Sequence, residues 1–323
     1  MKTQTRCWAG LVVAGACLWN AGCGPWLTSI PTYWDPVIPQ APGFDEEAAE
    51  PASLPAPAVA AKPVTAKPVA APPERPPQPP PPPPCMAVYV ATAQNQLFAF
   101  FPKESRFEFR GRLDCPSRPW ATPFSMAVAR TGVARVLYND GRLYEVLVHD
   151  ATCKPTSFVP NPPPGFRLFG MGYGTNGADG EQLYVASIRF TGPSLGLASI
   201  DDASYQLQFI GKLSQNPGYH LELTPTGSGP LHGFFINEGK PGGTLVQIDT
   251  RTGTIVDARP LNVGTASRSL AVSWWGGFFY IFTGYPGGSE ATRYDPETGQ
   301  TQVVAELDQT IVGAGVSTCA PDR

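Results

Sequence analysis

The stretch LHGFFINEGKPGGTLVQIDTRTGTIVDARPL, residues 231–261, decides the fold because its pattern occurs three times in the second half of the chain. It reads as a strand, a second strand ending in aspartate and a turn, and a third strand ending in leucine. The same order occurs at 182–213 and 278–307. Spacings of 48 and 46 residues, typical of a structural repeat, separate the aspartates of the three units: Asp201, Asp249 and Asp295.

Two more units fit upstream, at 88–113 and 134–160. One further strand lies between successive units, as in SLAVSWW at 269–275, and a period of 46 to 50 residues with four strands is typical of a β-propeller blade. The apolar runs are short and rich in β-branched and aromatic residues, with no sustained helical period. We therefore predict an all-β chain with a single propeller of five four-stranded blades; six blades are the alternative.

The C-terminus is predicted to close the ring. The first unit lacks an inner strand, because the folded part begins directly at MAVYVA, residues 86–91. The terminal stretch IVGAGVS, residues 311–317, has the same small-residue pattern as the predicted inner strand FGMGY at 169–173. We expect it to supply the inner strand that blade 1 lacks.

This closure predicts a disulfide. Cys319 follows the last inner strand and Cys85 precedes the first strand of the domain, so the two should lie side by side. Four cysteines allow three pairings, so the assignment of Cys85–Cys319 and Cys115–Cys153 depends on topology. No CxxC occurs, and we expect neither a metal site nor another cofactor.

The first 22 residues have the layout of a secretory signal peptide: Lys2 and Arg6, then a short apolar core. Ala21-Gly22 before Cys23 resembles a bacterial lipobox, in which the cysteine after the cleavage site carries lipid. Cys17 is a second candidate, and an ordinary signal with an incidental cysteine is the alternative. Gly24 is not the aspartate that often retains lipoproteins in the inner membrane, which favours the outer membrane.

Residues 23–84 are predicted to form the lipid-anchor cysteine and a proline-rich, disordered tether to the propeller domain, residues 85–323. Of the 60 residues from Pro25 to Pro84, 20 are proline. Such a segment cannot bury enough apolar surface to fold and is biased toward extended polyproline II. We interpret it as a spacer; a docking ligand for an aromatic groove is the alternative.

Six stretches together resemble a group of uncharacterised bacterial secreted or lipid-anchored β-propeller proteins. They are PFSMAVAR (123–130), FGMGYGTNG (169–177), ELTPTGSGPLHGFF (222–235), WWGGFFYIFT (274–283), RYDPETG (293–299) and IVGAGVSTCAP (311–321). The chain departs from the group at Ala129 and Phe278, where an acidic residue is usual. The resemblance implies a cell-envelope location and the propeller fold, and leaves the function open.

Glu222 is the weak catalytic candidate, because it is the only acidic residue in the predicted inner strands. A glycan-cleaving enzyme needs paired carboxylates. Arg167, Arg268 and His220 are its possible neighbours, and a buried or channel-lining glutamate paired with an arginine is the favoured interpretation. A calcium site at Asp179 and Glu181 is a further alternative.

Aromatic residues cluster near the ends of predicted inner strands, and we predict a binding surface there, composed of Trp274, Trp275, Tyr173, Arg167 and Glu222. Packing between blades is the alternative for these rings. The net charge of −3, without a basic stripe, gives no reason to expect nucleic acid. The sequence favours a monomeric, non-enzymatic binding or scaffold module for a protein or glycan at the cell envelope. The alternative is a glycan-active hydrolase or lyase using the central channel.

Overall fold

The computed structural model describes residues 84–159, 165–176, 180–188, 194–214, 218–227, 229–237, 242–263 and 269–323. The predicted signal peptide, Cys23 and the tether up to residue 83 lie outside the described residues. Among the helices of the described part, none is long and apolar enough to cross a membrane.

Five antiparallel sheets of four strands each form a ring, so the prediction of a five-bladed propeller is confirmed. After a short 3₁₀ helix at Pro84–Met86, the first three strands are β1 (Val88–Thr92), β2 (Gln96–Phe101) and β3 (Arg106–Arg112). Blade 2 contains β4 (Pro123–Val128), β5 (Val133–Tyr138), β6 (Leu143–Leu147) and β7 (Cys153–Pro155). Blade 3 contains β8 (Phe169–Thr175), β9 (Glu181–Ser187), β10 (Leu197–Ile200) and β11 (Leu207–Gly211).

The last two blades follow in the same order. Blade 4 contains β12 (Gly218–Pro225), β13 (Leu231–Asn237), β14 (Gly243–Ile248) and β15 (Ile255–Leu261). Blade 5 contains β16 (Ser269–Trp275), β17 (Phe278–Tyr285), β18 (Gly288–Tyr294) and β19 (Thr301–Leu307), and the chain ends with β20 (Ile311–Gly315). The predicted inner strands correspond to β4, β8, β12, β16 and β20.

Blade 1 is closed by the C-terminal strand, as predicted. Strand β20 pairs with β1 in an antiparallel register that sets Val90 opposite Ala314. Immediately beyond this pair, Cys85 and Cys319 form the predicted disulfide, which joins residues 234 positions apart. Both ends of the folded chain are therefore held in one blade.

Apolar side chains pack between neighbouring blades rather than at one centre. Clusters of buried residues lie between each pair, for example Leu221 and Leu223 of blade 4 against Ala186 of blade 3. The inner strands converge closely, and glycine is required where they meet: a Cβ on Gly170 would lie 1.9 Å from the Leu221 carbonyl oxygen. The small residues of the predicted inner strands thus permit the ring to close.

The repeated aspartates form turns. The Asp249 carboxylate accepts a hydrogen bond from the Arg251 backbone N–H at 2.8 Å, and Asp295 has the equivalent bond with Glu297. Gly253 in the first of these turns has φ of +75°, a conformation that other residues resist. Their role is structural, because a turn between the two outer strands needs this geometry.

Blade 2 differs from the predicted unit in its outer strand. The sequence suggests TSFVP at 156–160, whereas the observed strand is the shorter Cys153–Pro155. The backbone N–H and the hydroxyl of Thr156 both donate to the Leu143 carbonyl, and the same hydroxyl accepts a hydrogen bond from the Phe158 N–H, so a local turn ends the strand after Pro155. Cys153 is tied to Cys115 by the second predicted disulfide, which is confirmed.

Candidate ligand-binding cleft and central channel

Glu222 is buried at the centre of the ring and connects two blades that are not neighbours. The Ser125 hydroxyl of blade 2 donates a hydrogen bond of 2.7 Å to Glu222 Oε2, although blade 3 lies between blades 2 and 4. His220 Nε2 lies 3.1 Å from the other carboxylate oxygen, Oε1. Both oxygens of the carboxylate therefore have a partner.

The surroundings of this carboxylate favour its neutral form. Burial raises the pKa of Glu222, and the opposing effects of the hydrogen bonds from His220 and Ser125 do not cancel it. The imidazole of His220 stacks parallel to the ring of Phe124, with centroids 5.7 Å apart. The stack fixes the imidazole, and the imidazole in turn fixes the carboxylate.

Of the three neighbours that the sequence offered for Glu222, the structure places His220 beside the carboxylate; its other partner is Ser125, and the favoured pairing with an arginine is not found among the described residues. Arg167 is exposed, and it is not among the groups that shift the pKa of Glu222. Arg268 lies outside the described residues. Among the described groups that shift the pKa of Glu222 there is no second carboxylate.

The C-terminal tail, residues 316–323, contacts the turns that follow the inner strands of the other blades. We call the face of the ring carrying these turns the tail face. The Arg130 Nε of blade 2 donates to the Thr318 hydroxyl at 2.6 Å, and this hydroxyl donates to Glu181 of blade 3 at 3.0 Å. The Gly276 N–H of blade 5 donates to the Pro321 carbonyl at 2.8 Å.

Blade 4 also contacts the tail. Any side chain at Gly227, in the turn after β12, would collide with the Asp322 carboxylate. The tail continues from β20 of blade 1. With the contacts to blades 2, 3 and 5 given above, it contacts all four of the other blades at the tail face. Together with the Cys85–Cys319 disulfide, these contacts hold it in place beside the channel.

Two of the predicted binding aromatics are packed inside the ring. Tyr173 is fully buried, and its hydroxyl donates to the Asp202 carboxylate at 2.8 Å. Trp275 is also buried, and its indole N–H donates to the Cys85 carbonyl at 3.0 Å. The structure does not bring these two rings, Arg167 and Glu222 together as a single surface.

Trp274, the remaining member of the predicted set, lines a cleft of about 300 Å³ between blades 4 and 5 at the tail face. The apolar part of the wall comes from both blades and includes Leu245, Val246, Trp274, Phe279 and Pro296. The polar part consists of Thr226, His232, Gln247, Asp257, Arg259 and Asp322. A concave apolar site with a few polar groups is typical of a small-molecule site.

His232 is the best-defined polar group of this cleft. Its Nδ1 lies 3.3 Å from the Pro230 carbonyl, which also accepts a hydrogen bond from the Thr226 hydroxyl at 3.1 Å. Because a carbonyl can only accept, Nδ1 carries the proton and Nε2 is left as an acceptor. Burial lowers the pKa of His232 to about 4, so the ring is neutral at pH 7.

Trp274 is fixed from two sides. Its backbone N–H donates to the Thr224 hydroxyl at 2.9 Å, and its indole packs edge-on against Phe279 with centroids 4.8 Å apart. Phe279 also packs against His232 at 5.1 Å. Within the described part of the chain, the buried indole Nε1 has no hydrogen-bond partner. The contacts of Trp274 with Thr224 and Phe279, and of Phe279 with His232, preorganise the aromatic wall of the cleft.

At the rim of the cleft, charges are paired. Arg259 Nε donates to Asp257 at 2.9 Å, and Nη1 of the same guanidinium donates to the Pro296 carbonyl of blade 5 at 3.3 Å. A second, more open depression of about 540 Å³ adjoins the cleft and shares Gly229 and Gln247 with it. The two form a continuous groove around the turn after β12.

Sequence reasoning missed a polar cluster between blades 2 and 3. The buried Arg135 guanidinium lies 3.2 Å from Asp202 and 3.5 Å from Glu145, and Tyr205 donates a hydrogen bond to Glu145. Through Nη2, this arginine joins blade 2 to blade 3 electrostatically. No short sequence motif links these residues, because they come from three separate turns and strands.

The described residues contain no group of three histidine, cysteine or acidic side chains able to hold a metal ion. Asp179 of the possible calcium site lies outside them. Glu181, the other residue considered for that site, accepts hydrogen bonds from the Arg130 backbone N–H at 2.8 Å and from Thr318. Its described contacts join blade 3 to blade 2 and to the tail.

No protein-family model matches the sequence, and no curated protein matches it either. Solved structures do resemble the fold. The structure of the Dos1 propeller aligns with 73% of this chain and 71% of its own, at 11% identity and a TM-score of 0.40. A chain of the nidogen/laminin complex aligns with 72% of this chain and 98% of its own length, at 8% identity and a TM-score of 0.47. TolB from Acinetobacter baumannii aligns with 68% of this chain and 51% of its own length, at 11% identity and a TM-score of 0.37. These similarities concern the fold alone.

Proposed function

We propose that this chain is an exported lipoprotein of the bacterial cell envelope, anchored in the outer membrane through lipid on Cys23, whose propeller is a non-enzymatic binding or scaffold module. The signal-like N-terminus, the lipobox-like residues before Cys23 and the proline-rich spacer support the location. Two disulfides fit an oxidising compartment. The resemblance to secreted and lipid-anchored propeller proteins supports the same location.

The cleft between blades 4 and 5 carries the binding assignment. It is concave and lined by fixed aromatic and aliphatic side chains, and its charged groups are the Asp257–Arg259 pair and Asp322. Sites of this composition bind ligands in folded proteins far more often than exposed single aromatics do. The ligand partner is a molecule of the envelope that enters from the tail face.

The channel supports the alternative hydrolase less well. Ser125 and His220 engage both oxygens of Glu222, so the carboxylate connects blades instead of facing a substrate. Glycoside cleavage uses two carboxyl groups that flank the bond. We therefore assign Glu222 a structural role.

Saturation-transfer NMR tests the binding function. The mature chain would be screened with a library of small neutral, acidic, basic and aromatic molecules. We expect at least one ligand whose signal disappears when Gln247→Trp fills the cleft. Gln302→Trp is the matched control, since Gln302 is exposed on the outer strand of blade 5. Equal binding by wild type and Gln247→Trp, or no binding at all, would reject the cleft as the functional site.

A further inference from the structure

We propose that the cleft between blades 4 and 5 binds a neutral sugar ring, with hydroxyls paired to His232 and Gln247 and an apolar face against the aromatic wall. This inference rests on the binding function proposed above and adds the chemical class of the ligand. The groove that continues around the turn after β12 provides room for further sugar units.

The polar groups of the cleft fit hydroxyls. His232 Nε2 accepts, since Nδ1 is engaged by the Pro230 carbonyl. The Gln247 amide can both donate and accept, and the Thr226 hydroxyl, which donates to Pro230, keeps lone pairs for accepting. A sugar hydroxyl both donates and accepts, so it can satisfy such a mixed set. A ligand with acceptors alone would leave His232 without a partner.

The remaining wall fits the other half of a sugar ring. Pyranose rings expose C–H groups on one face, and Trp274 and Phe279 offer aromatic surface at the wall. A volume of about 300 Å³ is at the lower end for ligand pockets, which suits one ring rather than a large cofactor. The fixed aromatic pair reduces the entropy lost on binding.

Charge argues for a neutral ligand. The wall carries the carboxylates of Asp257 and Asp322 and one guanidinium, that of Arg259, so an anionic ligand would lie close to two carboxylates. Asp257 and Arg259 are 2.9 Å apart and neutralise each other, and Asp322 lies against the turn at Gly227. Burying a free ligand charge beside a neutral imidazole would be unfavourable.

The test uses the mature chain and a defined probe set: methyl glycosides of glucose, galactose, mannose and N-acetylglucosamine, their disaccharides, glucuronate and choline. Saturation-transfer NMR and tryptophan fluorescence report binding. We expect saturable binding of a neutral sugar with Kd on the order of 1 mM or tighter. His232→Phe, which keeps the ring volume and removes Nε2, should weaken it about tenfold. Trp120→Leu is the control, because that aromatic side chain is 58% exposed and lies outside the cleft.

The outcomes separate the sugar class from the binding function. Binding of glucuronate or choline without neutral sugars, abolished by Gln247→Trp, would overturn the sugar class and leave the cleft as a binding site. Binding of no probe or library molecule, or sugar binding equal in His232→Phe and wild type, would overturn the proposal as stated. Gln247→Ala, on a half-buried strand position, replaces His232→Phe if circular dichroism shows that the latter misfolds.

Discussion

The Ser125 hydroxyl donates a 2.7 Å hydrogen bond to the Glu222 carboxylate, although the two residues are 97 positions apart and their blades are not adjacent. The bond therefore restrains blade 2 and blade 4 relative to each other, although blade 3 lies between them. Such a restraint acts on the relative positions of whole blades, whereas ladder hydrogen bonds act within one sheet.

Ser125→Ala should lower the free energy of unfolding by about 1–3 kcal/mol, because it leaves a buried carboxylate oxygen without its donor. Urea unfolding monitored by tryptophan fluorescence measures this change. Ser117→Ala serves as the control and should stay within about 0.5 kcal/mol of wild type, since its hydroxyl bond is exposed. Equal effects of the two substitutions on the free energy of unfolding would show that the hydrogen bond from Ser125 to Glu222 does not stabilise the ring.

The stability of the propeller should depend on pH through Glu222. Burial raises the pKa of this carboxyl above its usual 4.5. Its protonated form is favoured in the folded state, so this contribution to stability is complete below about pH 4.5 and is lost as pH rises through the raised pKa. Glu222→Gln, which resembles the neutral carboxyl, should show a flatter profile of urea midpoints between pH 4 and 8. Identical profiles for variant and wild type would contradict this account.

The two disulfides should contribute unequally. In the chain-entropy relation, the Cys85–Cys319 bond across 234 residues stabilises by about 5 kcal/mol and Cys115–Cys153 across 38 residues by about 4 kcal/mol. Removal of the closing bond also leaves the tail held at the tail face by hydrogen bonds and packing alone. We expect the Cys85→Ser/Cys319→Ser double variant to have the lower urea midpoint of the two double variants. The reverse order would show that the closing bond is not the main covalent restraint.

The repeat units and the closure of the ring were predictable because short local sequence patterns determine them. Strand patterns, the turn at Asp249 and the small residues of β20 each depend on a few consecutive positions, and the topology they imply brings Cys85 to Cys319. The cross-ring bond of Glu222 has no such local signal. Whether a channel glutamate meets arginine or serine depends on how three blades are rotated, and a periodic pattern does not encode that rotation.

The candidate cleft was only partly predictable, for a related reason. Trp274, Trp275 and Tyr173 have the same sequence signature, an aromatic ring near the end of an inner strand. Their environments differ in the folded ring. Trp275 donates a hydrogen bond to the Cys85 carbonyl and Tyr173 donates one to Asp202, whereas Trp274 lines the cleft. The cleft wall comes from two blades, several turns and the tail, so it emerges only in the assembled ring.

The proposed lipid anchor on Cys23 gives a further prediction. In a Gram-negative host, the full chain should incorporate an alkyne-labelled fatty acid and fractionate with the outer membrane. Cys23→Ser should abolish the labelling and release the protein, because the residue after the signal peptide is then no longer a cysteine that can carry lipid. Cys17→Ser is the matched control and should behave as wild type. Label retained in Cys23→Ser and lost in Cys17→Ser would move the anchor to Cys17.

His232 should remain neutral far below the usual range for histidine. Burial lowers its pKa from 6.5 to about 4. Below pH 6.5 the unfolded chain takes up a proton that the folded ring resists, so stability falls as pH decreases from about 6.5 toward 4. His232→Phe should remove this part of the acid loss while it keeps the packing against Phe279. NMR of the histidine ring protons measures the titration directly, with the resonance assigned by its absence in His232→Phe. A midpoint near 6.5 would show that the imidazole is charged in mildly acidic solution and that Nε2 is then a donor, which would reverse the hydrogen-bonding character of the cleft.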